Sequence, residues 1–327
     1  MIVVTGGAGF IGSAIVWKLN KMGIDKIVIV DELGQNEKWK NLNGLRYEDF
    51  LHKDDFMGLV LQRSVPFKVT SIIHMGACSS TTEMNADFLM DNNVHYSMEL
   101  AKFCLETGAR FIYASSAATY GDGSNGYVDD ESALNSLRPL NMYGYSKHFF
   151  DQWIKRNGLI DKVAGMKFFN VYGPGEYHKG DMRSVVHKAF GQVLETGKVK
   201  LFKSYNHDYG DGGQKRDFVY VKDAVDMTLF FLEHPDRNGI FNVGTGRAQT
   251  WVELVTALFE AVGKPVNIEF IDMPEEIRGK YQYFTEAALG KIRKAGYNKT
   301  ILNVKEGVTD YVKNYLLKNV YLGMSKE

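Results

Sequence analysis

The chain has only two cysteines, Cys78 and Cys104, in 327 residues. Both stand in apolar segments, so a disulfide framework is excluded, two buried reduced thiols are expected, and the cytoplasm is the default compartment. Proline is scarce too, at 6 against 33 glycines, which suits regular elements joined by tight strand-to-helix turns. No apolar run reaches the roughly 18 residues of a membrane span. The first apolar stretch opens at Met1 and passes directly into glycines, so neither a membrane partner nor a signal peptide is expected. Nor is one sign of charge in excess: 39 Lys and Arg face 39 Asp and Glu, which removes the field a nucleic-acid partner would need. The remaining composition, 45% hydrophobic and 24% charged, is that of a folded chain with one large domain or two modest ones.

Ile2-Val-Val-Thr5 is a β-branched run cut off by Gly6-Gly7-Ala8-Gly9, too short for a helix, and reads as a buried strand. Ile11, Ile15, Leu19 and Met22 then recur at helical spacing, Gly23 stands where a C-terminal cap belongs, and Lys26 to Val30 forms a second strand. The alternation continues through a strand at 71–74, a helix at 93–106, a strand at 110–114, a helix at 142–156 and a strand at 162–169. Strands alternating with helices of this length predict parallel βαβ units with right-handed crossovers. The fold expected is α/β: a Rossmann-type doubly wound parallel sheet over about residues 1–170, then a smaller α/β substrate domain over 171–327. Some strands and helices of the second part are expected to return to the first. Residues 204–214 read as a polar surface loop, followed by a helix at 222–233 and a strand at 240–243. A helix opened by a Thr250/Glu253 capping box and a last helix at 304–318 complete the pass.

Three groups of residues carry chemistry. Gly6, Gly9 and Gly12 lie between strand and helix, where glycines allow a tight turn and close approach of a pyrophosphate to the helix N-terminus. Asp31 ends the next strand, 19 positions after Gly12, where a carboxylate can take the adenosine ribose hydroxyls. On residues alone, Asp31 favours NAD; Lys38 and Lys53 would oppose it only if their segments folded back over the ribose, so the phosphate state stays open. Tyr143 and Lys147 stand four apart at the start of a helix, on one face, where an ammonium is expected to lower the phenol pKa and make a general base. Ser115 and Ser116 close a central strand at the carboxyl edge, where ligands bind in such sheets, and Ser116 could hold a substrate oxygen beside Tyr143. No metal ligand set is expected.

In their order along the chain, these groups resemble the extended short-chain dehydrogenase/reductase superfamily. Further matches are Phe169-Asn170-Val171-Tyr172-Gly173-Pro174, the run Lys215-Arg216-Asp217-Phe218-Val219-Tyr220-Val221 with Asp223, and Phe241-Asn242-Val243-Gly244-Thr245-Gly246. Gly76-Ala77-Cys78-Ser79-Ser80-Thr81-Thr82-Glu83, Met90-Asp91-Asn92-Asn93, His178-Lys179-Gly180 and Gly279-Lys280-Tyr281-Gln282 are similar to the ADP-heptose 6-epimerase family within it. That resemblance implies C6 epimerisation of ADP-D-glycero-D-manno-heptose by transient oxidation, for lipopolysaccharide core synthesis, in a homo-oligomer. It implies NADP as cofactor, with NAD left open, held by Gly6, Gly9, Phe10, Ile11, Gly12, Asp31, Glu32, Lys38, Lys53, Met75, Gly76, Ala77, Cys78, Ser79, Asn92, Lys147, Val171 and Lys179. Catalysis would fall to Ser116, Tyr143, Lys147 and, as a second acid/base or a phosphate ligand, Lys179. The nucleotide sugar would meet Ser116, Asn170, Asp181, Lys188, Phe202, Lys203, Ser204, Tyr205, Arg216 and Tyr281.

The sequence departs from the family pattern at Met75, Lys167, Asp181 and Lys188, and the 204–214 loop is longer than usual. A sugar-nucleotide 4,6-dehydratase needs an extra acid and base after the strand-end hydroxyl, where this chain has Ala117-Ala118-Thr119. A 4-epimerase would use the same Ser, Tyr and Lys but lacks the 76–83 segment and Lys179. A non-catalytic dinucleotide sensor would have no use for the Tyr143 and Lys147 pair.

Overall fold

The computed structural model describes residues 1–278 and 281–324. Gly279 and Lys280 of the motif noted above lie outside them. In chain order the first half runs β1 (Ile2–Thr5), α1 (Phe10–Lys21), β2 (Ile27–Asp31), β3 (Asp49–His52), α2 (Lys53–Leu61), β4 (Ser71–His74), α3 (Ala86–Leu89), α4 (Tyr96–Thr107), β5 (Arg110–Ser116), α5 (Met142–Arg156) and β6 (Ala164–Phe168). The second half runs β7 (Asn170–Tyr172), α6 (Val185–Thr196), β8 (Val199–Phe202), β9 (Lys215–Tyr220), α7 (Val221–Glu233), β10 (Gly239–Val243), β11 (Ala248–Thr250), α8 (Trp251–Val262), β12 (Ile268–Ile271), α9 (Glu275–Arg278), α10 (Gly290–Lys294) and α11 (Val304–Tyr311).

Seven strands make one sheet in the order β10-β6-β5-β4-β1-β2-β3, and all six pairings are parallel. Order 3-2-1-4-5-6 is that of the doubly wound dinucleotide fold, whose crevice opens where the order reverses, here between β1 and β4. Helices cover both faces, which is why β1, β2, β4, β6 and β10 read as nearly unbroken apolar runs rather than alternating ones. Helix α1 ends as Gly23 foretold: Gly23, at φ +78°, lets its own amide reach Asn20 and the Ile24 amide reach Leu19, closing the Schellman pattern.

At Phe169 the chain leaves the main sheet. Strand β7 joins a second sheet, β11-β9-β7, and β8 pairs with β12 in a third. The continuation of β6 therefore lies in the crevice, β10 pairs with β6 in the main sheet, and α7 packs against both. Two of the expected helices differ from the sequence reading. The helix expected to begin at 93 is preceded by α3 and a wide π turn over Met90–His95, which turns Asn93 inward. The last helix passes into another π turn at Val312–Leu316. Strands β3, β7, β8, β9, β11 and β12 and helices α2, α3, α6, α9 and α10 were not read at all. Among the described residues, no helix is long and apolar enough to cross a membrane, and no group of His, Cys, Asp and Glu could hold a metal ion.

Candidate active site

A cleft of about 530 Å³ opens over the carboxyl ends of β1, β2, β4, β5 and β6. All the residues expected to hold a cofactor line it, from Gly6 to Lys179, together with Ser116, Tyr143 and Asn170. Its floor is the glycine loop. Gly6 has φ +64°, and a Cβ there would come within 2.6 Å of the Gly76 amide nitrogen; one on Gly12 would lie 2.0 Å from the Gly6 carbonyl oxygen. Only glycine permits this packing of loop on helix. Helix α1 begins at Gly9 with no side-chain cap and no acidic residue in its first turn, so its amide end presents partial positive charge to the cleft, suited to a diphosphate.

Asp31 is not a free acceptor. Its carboxylate takes the Ala8 amide at 2.9 Å, the Glu32 amide at 2.7 Å and Lys38 Nζ at 2.5 Å. Lys53 Nζ lies 3.1 Å from a Glu32 carboxylate oxygen and donates to Asn92 Oδ1 at 3.1 Å. Both lysines have thus folded back over the end of β2, where two ammonium groups balance two carboxylates.

The β4 end is held by a network that sequence reading missed. Ser97 gives its hydroxyl proton to the Asn93 carbonyl at 2.6 Å and so accepts His74 Nε2–H at 2.8 Å, which leaves His74 Nδ1 to accept the Thr5 hydroxyl at 2.6 Å, while Thr5 Oγ1 accepts the Gly76 amide at 3.2 Å. Burial, reinforced by Lys147, pushes the His74 pKa down to about 3 and keeps the ring neutral. Asn93 accepts the Cys78 amide at 2.9 Å, donates to the Cys78 carbonyl at 3.0 Å and to Ser146 at 3.0 Å, tying the 76–79 loop to α5. Its only sequence signal was the Met90–Asn93 resemblance. Cys104 is buried, as expected, but Cys78 is half-buried and faces the cleft.

Helix α5, capped by Asn141 on the Gly144 amide, presents Tyr143 and Lys147 to the cleft. Lys147 Nζ donates to the Ala114 carbonyl at 2.8 Å. Burial lowers its pKa to about 8, with the Asp151 charge opposing. The expected lowering of the Tyr143 pKa is not found. Burial raises it, the Ser116 hydroxyl works the other way and Cys78 adds to the rise, while the Lys147 ammonium donates to the Ala114 carbonyl.

Across the cleft, the turn Tyr177–Met182 carries Lys179, bent at Gly180 with φ +53°. Lys179 Nζ lies 5.7 Å from the centre of the Phe10 ring. Burial lowers its pKa, and buried Glu176 pulls it back up. His178, also in the lining, has its pKa depressed to about 4 by burial and by Lys38 and Lys179.

The residues expected to meet the nucleotide sugar do not gather in one place. A second cavity of about 220 Å³ shares Phe10, Asn170, Val171 and Lys179 with the cleft and reaches Trp251. Beside it the Arg216 guanidinium stacks on the rings of Trp251 and Tyr281, 5.9 and 5.3 Å from their centres, while Trp251 Nε1 donates to the Tyr281 hydroxyl at 3.0 Å. Phe202, Lys203, Ser204 and Tyr205 follow from the end of β8. Tyr205 lies under Arg278 at 4.0 Å, and its hydroxyl and the Lys203 ammonium both reach Asp272 at 3.1 Å. Asp181 and Lys188 are placed elsewhere. They line a third cavity with Glu37, Tyr177, His187 and Tyr321, none of which lines the main cleft. Asp181 follows the bend at Gly180, and Lys188 lies in the first turn of α6 beyond it.

A parallel sheet with a glycine-floored crevice and a Tyr–Lys pair at its edge defines a dinucleotide-dependent α/β enzyme. The profile of the NAD dependent epimerase/dehydratase family matches residues 2–244, and the chain belongs to that family. It is 59% identical over 316 residues to the ADP-L-glycero-D-manno-heptose-6-epimerase of Nitratidesulfovibrio vulgaris strain Hildenborough, covering 97% of this chain and 98% of the relative. The crystal structure of the Helicobacter pylori ADP-L-glycero-D-manno-heptose-6-epimerase superposes with a TM-score of 0.79 at 28% identity, covering 95% of this chain and 94% of that one. The Thermus thermophilus UDP-glucose 4-epimerase in complex with NAD gives 0.74 at 27% identity, with 95% and 97% covered.

Proposed function

We propose that the protein interconverts ADP-D-glycero-D-manno-heptose and ADP-L-glycero-D-manno-heptose by inverting carbon 6, with NADP as the resident dinucleotide. The observation that carries this reading is the placing of Tyr143 with Ser116 and of Lys179 in the lining of one cleft, joined to the 59% identity with a heptose 6-epimerase over nearly the whole chain. Inversion moves an oxygen from one face of a carbon to the other, and one phenol cannot serve both positions.

The cleft fits a nicotinamide dinucleotide. The uncapped amide end of α1 suits its diphosphate, and the Gly6 and Gly12 packing leaves the backbone bare beneath it. Bound there, the nicotinamide supplies reversible oxidation of the carbinol, so that configuration can invert through a planar carbonyl. Lys38 and Lys53, already drawn to Asp31 and Glu32, offset the carboxylates that would repel a 2′-phosphate, which favours NADP.

The residues of the chain do the rest. Ser116 orients the sugar oxygen, and Tyr143, whose raised pKa keeps the phenol protonated near neutrality, gives its proton to an oxygen on its side and recovers it in the reverse direction. Lys147 fixes the cofactor ribose with a charged, buried ammonium. Lys179, made less basic by burial, exchanges a proton with the oxygen on the other side. Arg216 brackets the substrate diphosphate with its planar fork.

The test is incubation with either C6 epimer, followed by proton NMR. A mixture of both epimers, with no net change in coenzyme absorbance, is expected. A 4-keto-6-deoxy product would replace this reading with dehydration, and tight NADP binding without turnover would replace it with sensing.

A further inference from the structure

We infer that Asp151, Lys167 and Thr119 form a buried relay that positions the Ser116 end of β5 against Tyr143 and Lys147. The inference rests on the reading of the cleft just given. None of the three lines the cleft, and all are closed to solvent, at 0%, 1% and 0% exposure. Lys167 stands on β6 in register with Ser115 of β5. Its Nζ lies 2.6 Å from Asp151 Oδ2 and donates to Thr119 Oγ1, also at 2.6 Å. The Thr119 hydroxyl, filled on its acceptor side, turns its own proton to the Ser116 carbonyl at 2.8 Å. Asp151 takes the Ser115 hydroxyl at 2.7 Å.

Ala114, Ser115 and Ser116 are therefore each tied down, by Lys147, Asp151 and Thr119 respectively. Tyr143, Lys147 and Asp151 follow one another at four-residue steps along α5, so the bond that fixes Asp151 on β5 also fixes the phase of the other two against Ser116. Burying an ion pair is a poor way to gain stability, since apolar residues of like volume often do as well. Placed one turn below Lys147 and one link from Ser116, this pair supplies alignment.

Thr119→Val removes the hydroxyl at nearly constant volume. We expect it to lower kcat for C6 interconversion about 10-fold or more, since small misplacements of reacting groups are costly, while KM and the NADP Kd stay within about 2-fold. Thr119→Ser, which keeps the hydroxyl, should recover most of kcat. A purely structural role would lower thermal stability without separating Val from Ser in kcat. Should Thr119→Val fail to fold, the double substitution Asp151→Asn with Lys167→Met, which removes both charges together, must show the same kcat loss in a protein that still binds NADP. Unaltered kcat in Thr119→Val, or in the foldable double variant, overturns the relay. Absence of interconversion in the parent protein sinks the reading of the cleft instead, so the two failures are distinguishable.

Discussion

At Lys147, burial and charge pull in opposite directions. Desolvation favours the neutral amine and the nearby Asp151 carboxylate favours the ammonium, leaving a pKa of about 8 instead of the usual 10.5. Since the ammonium is the working form, activity should hold on the acid side and fall as pH rises through about 8. Lys147→Arg, which stays charged throughout, should turn over more slowly but lose that alkaline fall. A fall at the same pH in the arginine variant would assign the limb to another group, and the pH profile of kcat/KM, which reports groups of the substrate-free enzyme, reads this directly. The pairing of Tyr143 and Lys147 was legible in the sequence because helical spacing is a local property. The target of the lysine was not, because the Ala114 carbonyl belongs to a strand some thirty residues earlier, and the phenol pKa was misjudged because burial, which helical spacing does not show, raises it.

Between residues and the whole, the short elements matter most. The 3-10 turn Glu37–Leu42, capped by Asn36 on the Lys38 amide, folds back so that Lys38 meets Asp31. Asn41 then ties the turn to the carbonyls of Ala8 and Gly175, joining the glycine loop to the segment that carries Lys179. Lys38→Ala should weaken NADP binding about 10-fold or more, on the scale of a lost charge-assisted contact to phosphate, and leave NAD binding within about 2-fold. Titration calorimetry with both coenzymes checks this, and an equal loss for NAD and NADP would contradict it. In sequence this turn is a polar stretch with no apolar period, so neither its shape nor the direction of its lysines could be read. By contrast β1, α1 and β2 were plain from the Gly6–Gly12 run and the Ile11, Ile15, Leu19 spacing. Strand β3 escaped because Asp49 to His52 is a half-exposed edge strand without an apolar face of its own. Helix α6 escaped because it falls where the βαβ rhythm has loosened.

On the scale of the whole molecule, one apolar core runs from β1 and α1 through α7, α8 and α11. The two halves of the chain are thereby packed together on either side of the cleft, with β10 completing the main sheet. At the β1–β4 end of the cleft the glycine loop and Asp31 were legible in the sequence, since they lie at or just beyond the ends of β1 and β2, whereas Asn92 and Lys179 stand on turns and entered only through the family resemblance. The substrate end was not legible in this way. Arg216, Tyr281 and the Phe202–Tyr205 run come together only through contacts between β9, α8 and the segments after β8 and β12, and Asp181 and Lys188 diverge from them. The proposed inversion requires that the hydrogen taken from carbon 6 be the one returned to it, within one cleft. Its most direct measurement follows ADP-D-glycero-D-manno-heptose carrying deuterium at C6, with the product analysed by NMR and mass spectrometry. Deuterium retained at C6 in the inverted sugar is the predicted result; washout of the label into solvent during inversion would contradict it.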